Sequence, residues 1–130
     1  MKTTPFDATQ NLVIVEARVV GPRGDARVDL VLDTGASRTI LVPDVVDRLG
    51  YRVRDSHGLS AVSSPLGREL GYRLRVRKFA ALGFTPADFP VAIHDIADEG
   101  GFDGLLGWDF LQQFNLEIRP REACINAEPA

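Results

Sequence analysis

Residues 28–37 read Val28-Asp29-Leu30-Val31-Leu32-Asp33-Thr34-Gly35-Ala36-Ser37. An apolar strand runs straight into Asp33-Thr34-Gly35 and breaks there, because Asp, Thr and Gly are turn residues. This puts a carboxylate at the end of a buried strand, beside a hydroxyl and a residue with no side chain. The tripeptide alone says little. Average composition produces an Asp-[Thr/Ser]-Gly in a chain this long about 6% of the time, and an ordinary hairpin or helix-entry turn would explain it. Context makes it informative. The apolar run precedes it, and a second segment, Phe102-Asp103-Gly104-Leu105-Leu106-Gly107-Trp108-Asp109-Phe110-Leu111, carries an apolar-apolar-Gly step later in the chain.

Outward from the motif, the chain reads as many short strands. Leu12 to Val20 is rich in Val and Ile, Gly21 to Asp25 is a turn cluster, and Ala26 to Leu32 returns as a strand ending on Asp33. Thr39 to Val42 is a short apolar strand. Pro43 to Gly50 predicts one short helix closed by Gly50. His57 to Val62 and Arg68 to Arg77 predict a hairpin turning at Ser63-Ser64-Pro65-Leu66-Gly67. In its return strand Leu70, Tyr72, Leu74 and Val76 alternate with polar residues or glycine. Phe79 to Phe84 and Ala87 to His94 are further strand candidates, and Asp95 to Gly101 an acidic loop. Gly104 to Leu106 is a short buried strand and Trp108 to Phe114 a short helix. Leu116 to Ile118 and Ala123 to Asn126 complete the set. Short strands separated by Gly and Pro turns predict an all-β, closed or sandwiched fold with one or two short helices.

Composition narrows the function classes. One hundred and thirty residues predict one domain spanning 1–130, and 45% apolar content suffices for one modest core. A net charge of −3 offers no global attraction to nucleic acid or to an anionic membrane. Cys124 is the one cysteine, so no intrachain disulfide forms. The first ten residues hold no apolar run of a secretory signal, and no stretch is long enough to span a membrane. A cytoplasmic protein is the default expectation, unless the chain is excised from something longer. His57 and His94 are isolated, without metal-site spacing, and read as surface or strand histidines. Arg73, Arg75, Arg77 and Lys78 could form a basic stripe, but strand alternation makes the arginines one solvated face, and no aromatic platform for nucleic acid accompanies them. No cofactor and no metal are expected.

The two motifs together resemble the retropepsin-like aspartic proteases, the viral proteases and their single-domain bacterial relatives, in element order from about Leu12 to Ile118. The resemblance implies a small closed barrel-like fold and hydrolysis of peptide bonds in a peptide or protein substrate. Such chemistry needs one carboxylate as base and a neutral one as acid. The chain has one Asp-Thr-Gly; Asp98-Glu99-Gly100 lacks both the hydroxyl residue and the preceding apolar strand. The second carboxylate is therefore expected from a second chain, Asp33 meeting Asp33 across the axis of a homodimer. As in the family, the Thr34 hydroxyl would bond across that axis, and the Gly35 amide would donate to Asp33. Ala36 stands where two-domain relatives usually carry Ser or Thr. Without that hydroxyl the charged form has one donor fewer, which favours a less acidic working range than a gastric protease has.

Leu105-Leu106-Gly107 resembles the segment that threads beneath the catalytic strands. Asp109 suits the first turn of the next helix, where the dipole favours negative charge. Viral enzymes place Arg directly after this Gly; here Trp108 stands there, expected in core or interface packing. The 57–77 hairpin falls where the family carries its flap, and Pro65 would stiffen its tip. The expected cleft lining is Val31, Gly35, Ala36, the flap tip from Ser63 to Gly67, and Phe102 to Leu105. The rival reading is a non-catalytic module of the same fold, used for dimerisation or peptide binding.

Overall fold

The strand that delivers Asp33 is held on both sides. The computed structural model describes residues 1–64, 67–96 and 101–130, with residues 62–64 and 67–69 described by backbone alone. In chain order the elements are β1 (Lys2–Pro5), β2 (Ile14–Gly21), β3 (Gly24–Leu32), β4 (Ile40–Leu41), α1 (Pro43–Arg48) and a 3-10 turn (Val53–Asp55). They continue with β5 (Leu59–Ser64), β6 (Gly67–Ala80), β7 (Ala87–Ile93), β8 (Gly104–Leu106), α2 (Trp108–Leu111), β9 (Phe114–Arg119) and β10 (Cys124–Pro129). β2 and β3 form the antiparallel hairpin expected around the Gly-Pro turn cluster, from Ile14 opposite Val31 to Gly21 opposite Gly24.

On its other edge β3 pairs in parallel with β8, Val31 opposite Leu105 and Leu32 opposite Leu106. β8 also pairs antiparallel with β4, which runs parallel to β7. The order β2-β3-β8-β4-β7-β6 closes through a β2–β6 pairing, giving a six-stranded barrel with β5 attached to β6 as a hairpin arm. A separate sheet, β1-β10-β9, packs beside it. β3 alternates exposed Asp25, Arg27 and Asp29 with inward residues and becomes continuously apolar only at Leu30-Val31-Leu32, where it pairs with β8; there it is flanked by strands on both edges and is buried or half-buried throughout.

The barrel interior takes Val15, Ala17 and Val19 from β2, Val28 and Leu30 from β3, and Leu74 and Val76 from β6; all are at most 3% exposed. Phe79, Phe89 and Phe110 pack against one another with ring centroids 5.1–5.6 Å apart. Phe110 then meets Phe114 at 5.2 Å, which joins the barrel core to the second sheet. Helix α1 starts with Pro43 in its first turn and ends where Gly50 takes a φ of 89°. The Gly50 amide donates to the Asp47 carbonyl and the Tyr51 amide to that of Val46, a Schellman closure that needs a residue at ease in the left-handed region.

Several expectations are corrected. Phe79 to Phe84 is not a strand. Phe79 and Ala80 end β6, and Ala81 and Phe84 exchange hydrogen bonds of 2.9 and 3.0 Å across a two-residue turn. Leu82 and Gly83 both take positive φ there, as a tight hairpin requires. The helix from Trp108 stops at Leu111, because Phe114 joins β9 and stacks on Phe84 at 4.4 Å. β5 and β6 run closer to their tip than expected: Ser63 and Ser64 lie in β5, Gly67 lies in β6, and Ser64 pairs with Gly67. Leu70 does not follow the buried alternation of Leu74 and Val76; it is 70% exposed, on an arm with no layer over it. β1 has no sequence signature beyond two threonines and forms by pairing with β10. No helix is long and apolar enough to cross a membrane among the described residues.

Candidate active site

Asp33 follows the last residue of β3 and continues its bonding: its amide donates to the Leu106 carbonyl at 2.9 Å. The chain then turns, the Ala36 amide reaching the Asp33 carbonyl at 3.2 Å. The Gly35 amide donates to Asp33 Oδ1 at 2.9 Å. A Cβ on Gly35 would lie 3.3 Å from that oxygen, so a side chain would crowd the carboxylate. Asp33 is half-buried, while Thr34 and Gly35 are exposed in the single chain.

The loop is fastened from below by the second motif. The Trp108 amide donates to the Ala36 carbonyl at 2.7 Å. Asp109 Oδ1 accepts from the Thr39 amide at 2.9 Å, the Thr39 hydroxyl at 2.8 Å and the Phe110 amide at 2.8 Å. The Thr39 hydroxyl in turn accepts from the Gly107 amide at 3.1 Å. Gly107 is required by this crossing: a Cβ there would lie 2.5 Å from the Arg38 carbonyl carbon and oxygen. Asp109 does stand in the first turn of α2, but in a one-turn helix its work is accepting these bonds. Trp108 is 48% exposed, so it is not a core residue of this chain.

A cavity of about 280 Å³ opens beside the loop. Gly35, Ala36, Ser37 and Arg38 form one wall, Ser60 and Ala61 of β5 another, and Ile40, Ala92 and Leu105 the base. Of the expected lining, Gly35, Ala36 and Leu105 are brought together here. Phe102 is not. It lines a separate cavity of about 570 Å³ with Val42, Pro43 and Asp44, because the Val42 amide bonds the Asp103 carbonyl and draws this segment towards α1. That larger cavity lacks the Asp-Thr-Gly loop, so chemistry rather than size selects the smaller one. Val31, 7% exposed, lies in the sheet between Ile14 and Leu105 and does not line the cavity. At the hairpin tip, Pro65 and Leu66 lie outside the described residues, and Ser63, Ser64 and Gly67 are placed by backbone alone.

Sequence reasoning missed Ser37, Arg38, Ile40, Ser60, Ala61 and Ala92. The first two follow the motif directly and were legible as neighbours; the rest arrive through strand pairing. It also misplaced His94, which is buried at 2% exposure, its Nε2 3.0 Å from Ser60 Oγ behind the cavity wall. A Cβ on Gly71 would collide with the Ile93 carbonyl and lie 2.8 Å from the His94 ring, so only glycine fits beside them. His57 is exposed, as expected. Among the described residues no three His, Cys, Asp or Glu side chains cluster as metal ligands.

Comparison with known proteins agrees with this geometry. The sequence model of the aspartyl protease family matches residues 15–110, about three quarters of the chain. No match was found among curated protein sequences. Among solved structures, a retropepsin-like aspartic protease from Rickettsia conorii superposes with a TM-score of 0.67 at 15% identity, covering 95% of this chain and 94% of that one. The EIAV protease, solved with the inhibitor HBY-793, gives 0.61 at 22% identity over 79% of this chain and 88% of its own. The retroviral protease-like domain of Ddi1 from Leishmania major gives 0.60 at 18% identity, covering 92% and 90%. The chain belongs to the aspartyl protease family and has the retropepsin fold.

Proposed function

We propose that this chain is an aspartic endopeptidase that hydrolyses peptide bonds with a water held between two Asp33 carboxylates, one from each chain of a homodimer. The observation that carries the reading is the Asp33 loop. One carboxylate stands at the end of a buried strand, held by the Gly35 amide, on a backbone fastened by Trp108 and Asp109. Thr34 and Gly35, exposed beside it, leave room for a second copy to approach across a two-fold axis.

In this mechanism the dyad holds one proton. The ionised carboxylate takes a proton from the water as its oxygen bonds to the peptide carbonyl carbon, and the neutral carboxyl gives its proton to the carbonyl oxygen. The proton gained by the first group then passes to the amide nitrogen as the C–N bond breaks, and the second group takes a proton back from a hydroxyl of the tetrahedral diol as the carbonyl of the new acid forms. Both carboxyls return to their starting charge, and neither a covalent intermediate nor a metal is called on. The Thr34 hydroxyl stiffens the pair by bonding across the axis, and the β5–β6 arm serves as the flap.

Subunit mixing tests the shared site. Wild-type and Asp33→Asn chains, exchanged freely at equal amounts, form wild-type, mixed and mutant dimers as 1:2:1. Only wild-type dimers carry both carboxylates. Activity should fall to about one quarter of that of unmixed wild type at the same total protein, while independent chains would leave about one half. One half, with exchange complete, would overturn the dimeric dyad. Absence of cleavage by the wild type itself would favour the non-catalytic, peptide-binding module.

A further inference from the structure

Among the described residues Arg38 is the one charged residue lining the cavity beside the Asp33 loop. The rest of the lining is small, apolar or hydroxyl-bearing, Gly35, Ala36, Ser60 and Leu105 among them. Arg38 is exposed, and no carboxylate among the described residues pairs with it. The ion pairs formed among the described residues use other arginines, Arg18, Arg27 and Arg119. Its backbone is fixed even so: Gly107 crosses against the Arg38 carbonyl, and Thr39, the next residue, is bonded to Asp109 through both amide and hydroxyl. An arginine with a fixed backbone and no carboxylate partner among the described residues, at the wall of a small cavity, suits an anion. A planar fork of N–H donors matches a carboxylate best.

We infer that this cavity is a substrate subsite that selects an acidic side chain, Glu or Asp, with Arg38 as the residue that sets the preference. The inference rests on the protease reading above for the identity of the ligand as a peptide. In the proposed dimer the cavity occurs twice, once on each side of the paired Asp33 groups. The preferred peptide therefore carries an acidic residue within a few positions of the cleaved bond, on either side, and gains further from one on both. The net negative charge of the chain does not supply this preference; it disfavours acidic peptides at long range, so the selectivity must come from Arg38 itself.

The test uses peptides blocked at both termini that differ only in Glu, Gln or Lys at one position near the cleaved bond. It is run near pH 6, where a free Glu side chain is ionised. The ratio of kcat/KM for Glu over Gln should be about fivefold in the wild type, the size of one exposed ion pair. It should fall to about one in Arg38→Gln, and Arg38→Glu should prefer Lys over Gln. The same ratios are read as Kd with Arg38 intact or replaced in the Asp33→Asn background, where nothing is cleaved. An unblocked neutral peptide tests whether a chain terminus supplies the carboxylate instead. Equal use of Glu and Gln by the wild type, a ratio unchanged in Arg38→Gln, or a preference seen only with the free terminus overturns the inference. If no peptide is cleaved by the wild type but the Kd ratio still depends on Arg38, the subsite stands and the catalytic reading fails.

Discussion

Replacing Asp109 with Ala should destabilise the protein by about 2–4 kcal/mol. The magnitude follows from what its carboxylate holds. Three donors converge on Oδ1, and they do not lose equally. The Phe110 amide retains the Gly107 carbonyl at 3.1 Å, and the Thr39 hydroxyl retains its role as acceptor for Gly107. The Thr39 amide has no second partner among the described residues and sits in a residue of 0% exposure. Orphaning a buried amide costs about 1–3 kcal/mol, and losing the hydroxyl-to-carboxylate bond adds about 1 kcal/mol. For a chain of 130 residues the unfolding entropy is near 0.27 kcal/mol/K, so the melting temperature should fall by about 7–15 °C. Asp109→Asn keeps a neutral acceptor at the same place and should cost only about 0.5–1.5 kcal/mol, or about 2–6 °C. The assay is thermal unfolding of the three proteins at one protein concentration, since a dimer's stability depends on it. Alongside it, kcat/KM should drop in the Ala variant even well below its melting point, because a catalytic group displaced by about 1 Å costs on the order of a hundredfold. An Ala variant within about 2 °C of wild type, or an Asn variant as damaged as the Ala variant, would refute the reasoning.

Two further outcomes are expected. Cleavage should decline as the solution turns alkaline, because the dyad loses its acid once both carboxyls ionise. With Ala36 in place of a hydroxyl donor the optimum should fall at about pH 4–6, and full activity at about pH 9 would contradict a carboxylate pair. Tyr51→Phe should cost about 1–3 kcal/mol, read as a melting-temperature loss, because the phenol donates to the Val20 carbonyl at 2.7 Å and accepts from the Arg77 amide at 2.8 Å. Burial holds the Tyr51 hydroxyl pKa above its usual value, so its stabilisation is complete below about pH 10 and declines as the pH rises through the folded-state value; the Phe variant should lack that slope.

The strand that carries Asp33, the turn that breaks it and the apolar-apolar-Gly segment could all be read from the amino-acid order alone. Those signals are local: a run of Val and Leu ending on turn residues, and a glycine before a short helix. Helix α1 was legible for the same reason, with Pro43 and Gly50 marking its ends. The rest of the site depends on residues far apart in the chain. β8 slots between β3 and β4, and from that crossing come the Asp109–Thr39 bonds and the need for Gly107. Ser60 and Ala92 reach the cavity through ladders that no local pattern encodes, and Gly71 lets the Ile93 carbonyl and the His94 ring approach its strand closely. Phe102 was misread because adjacency to the second motif does not fix direction; the bond from Val42 to Asp103 turns that segment towards α1. The short helix after Gly107 ends early, and Phe114 instead joins β9 and stacks on Phe84. Local propensity chooses elements, and long-range pairing chooses which side chains share a site.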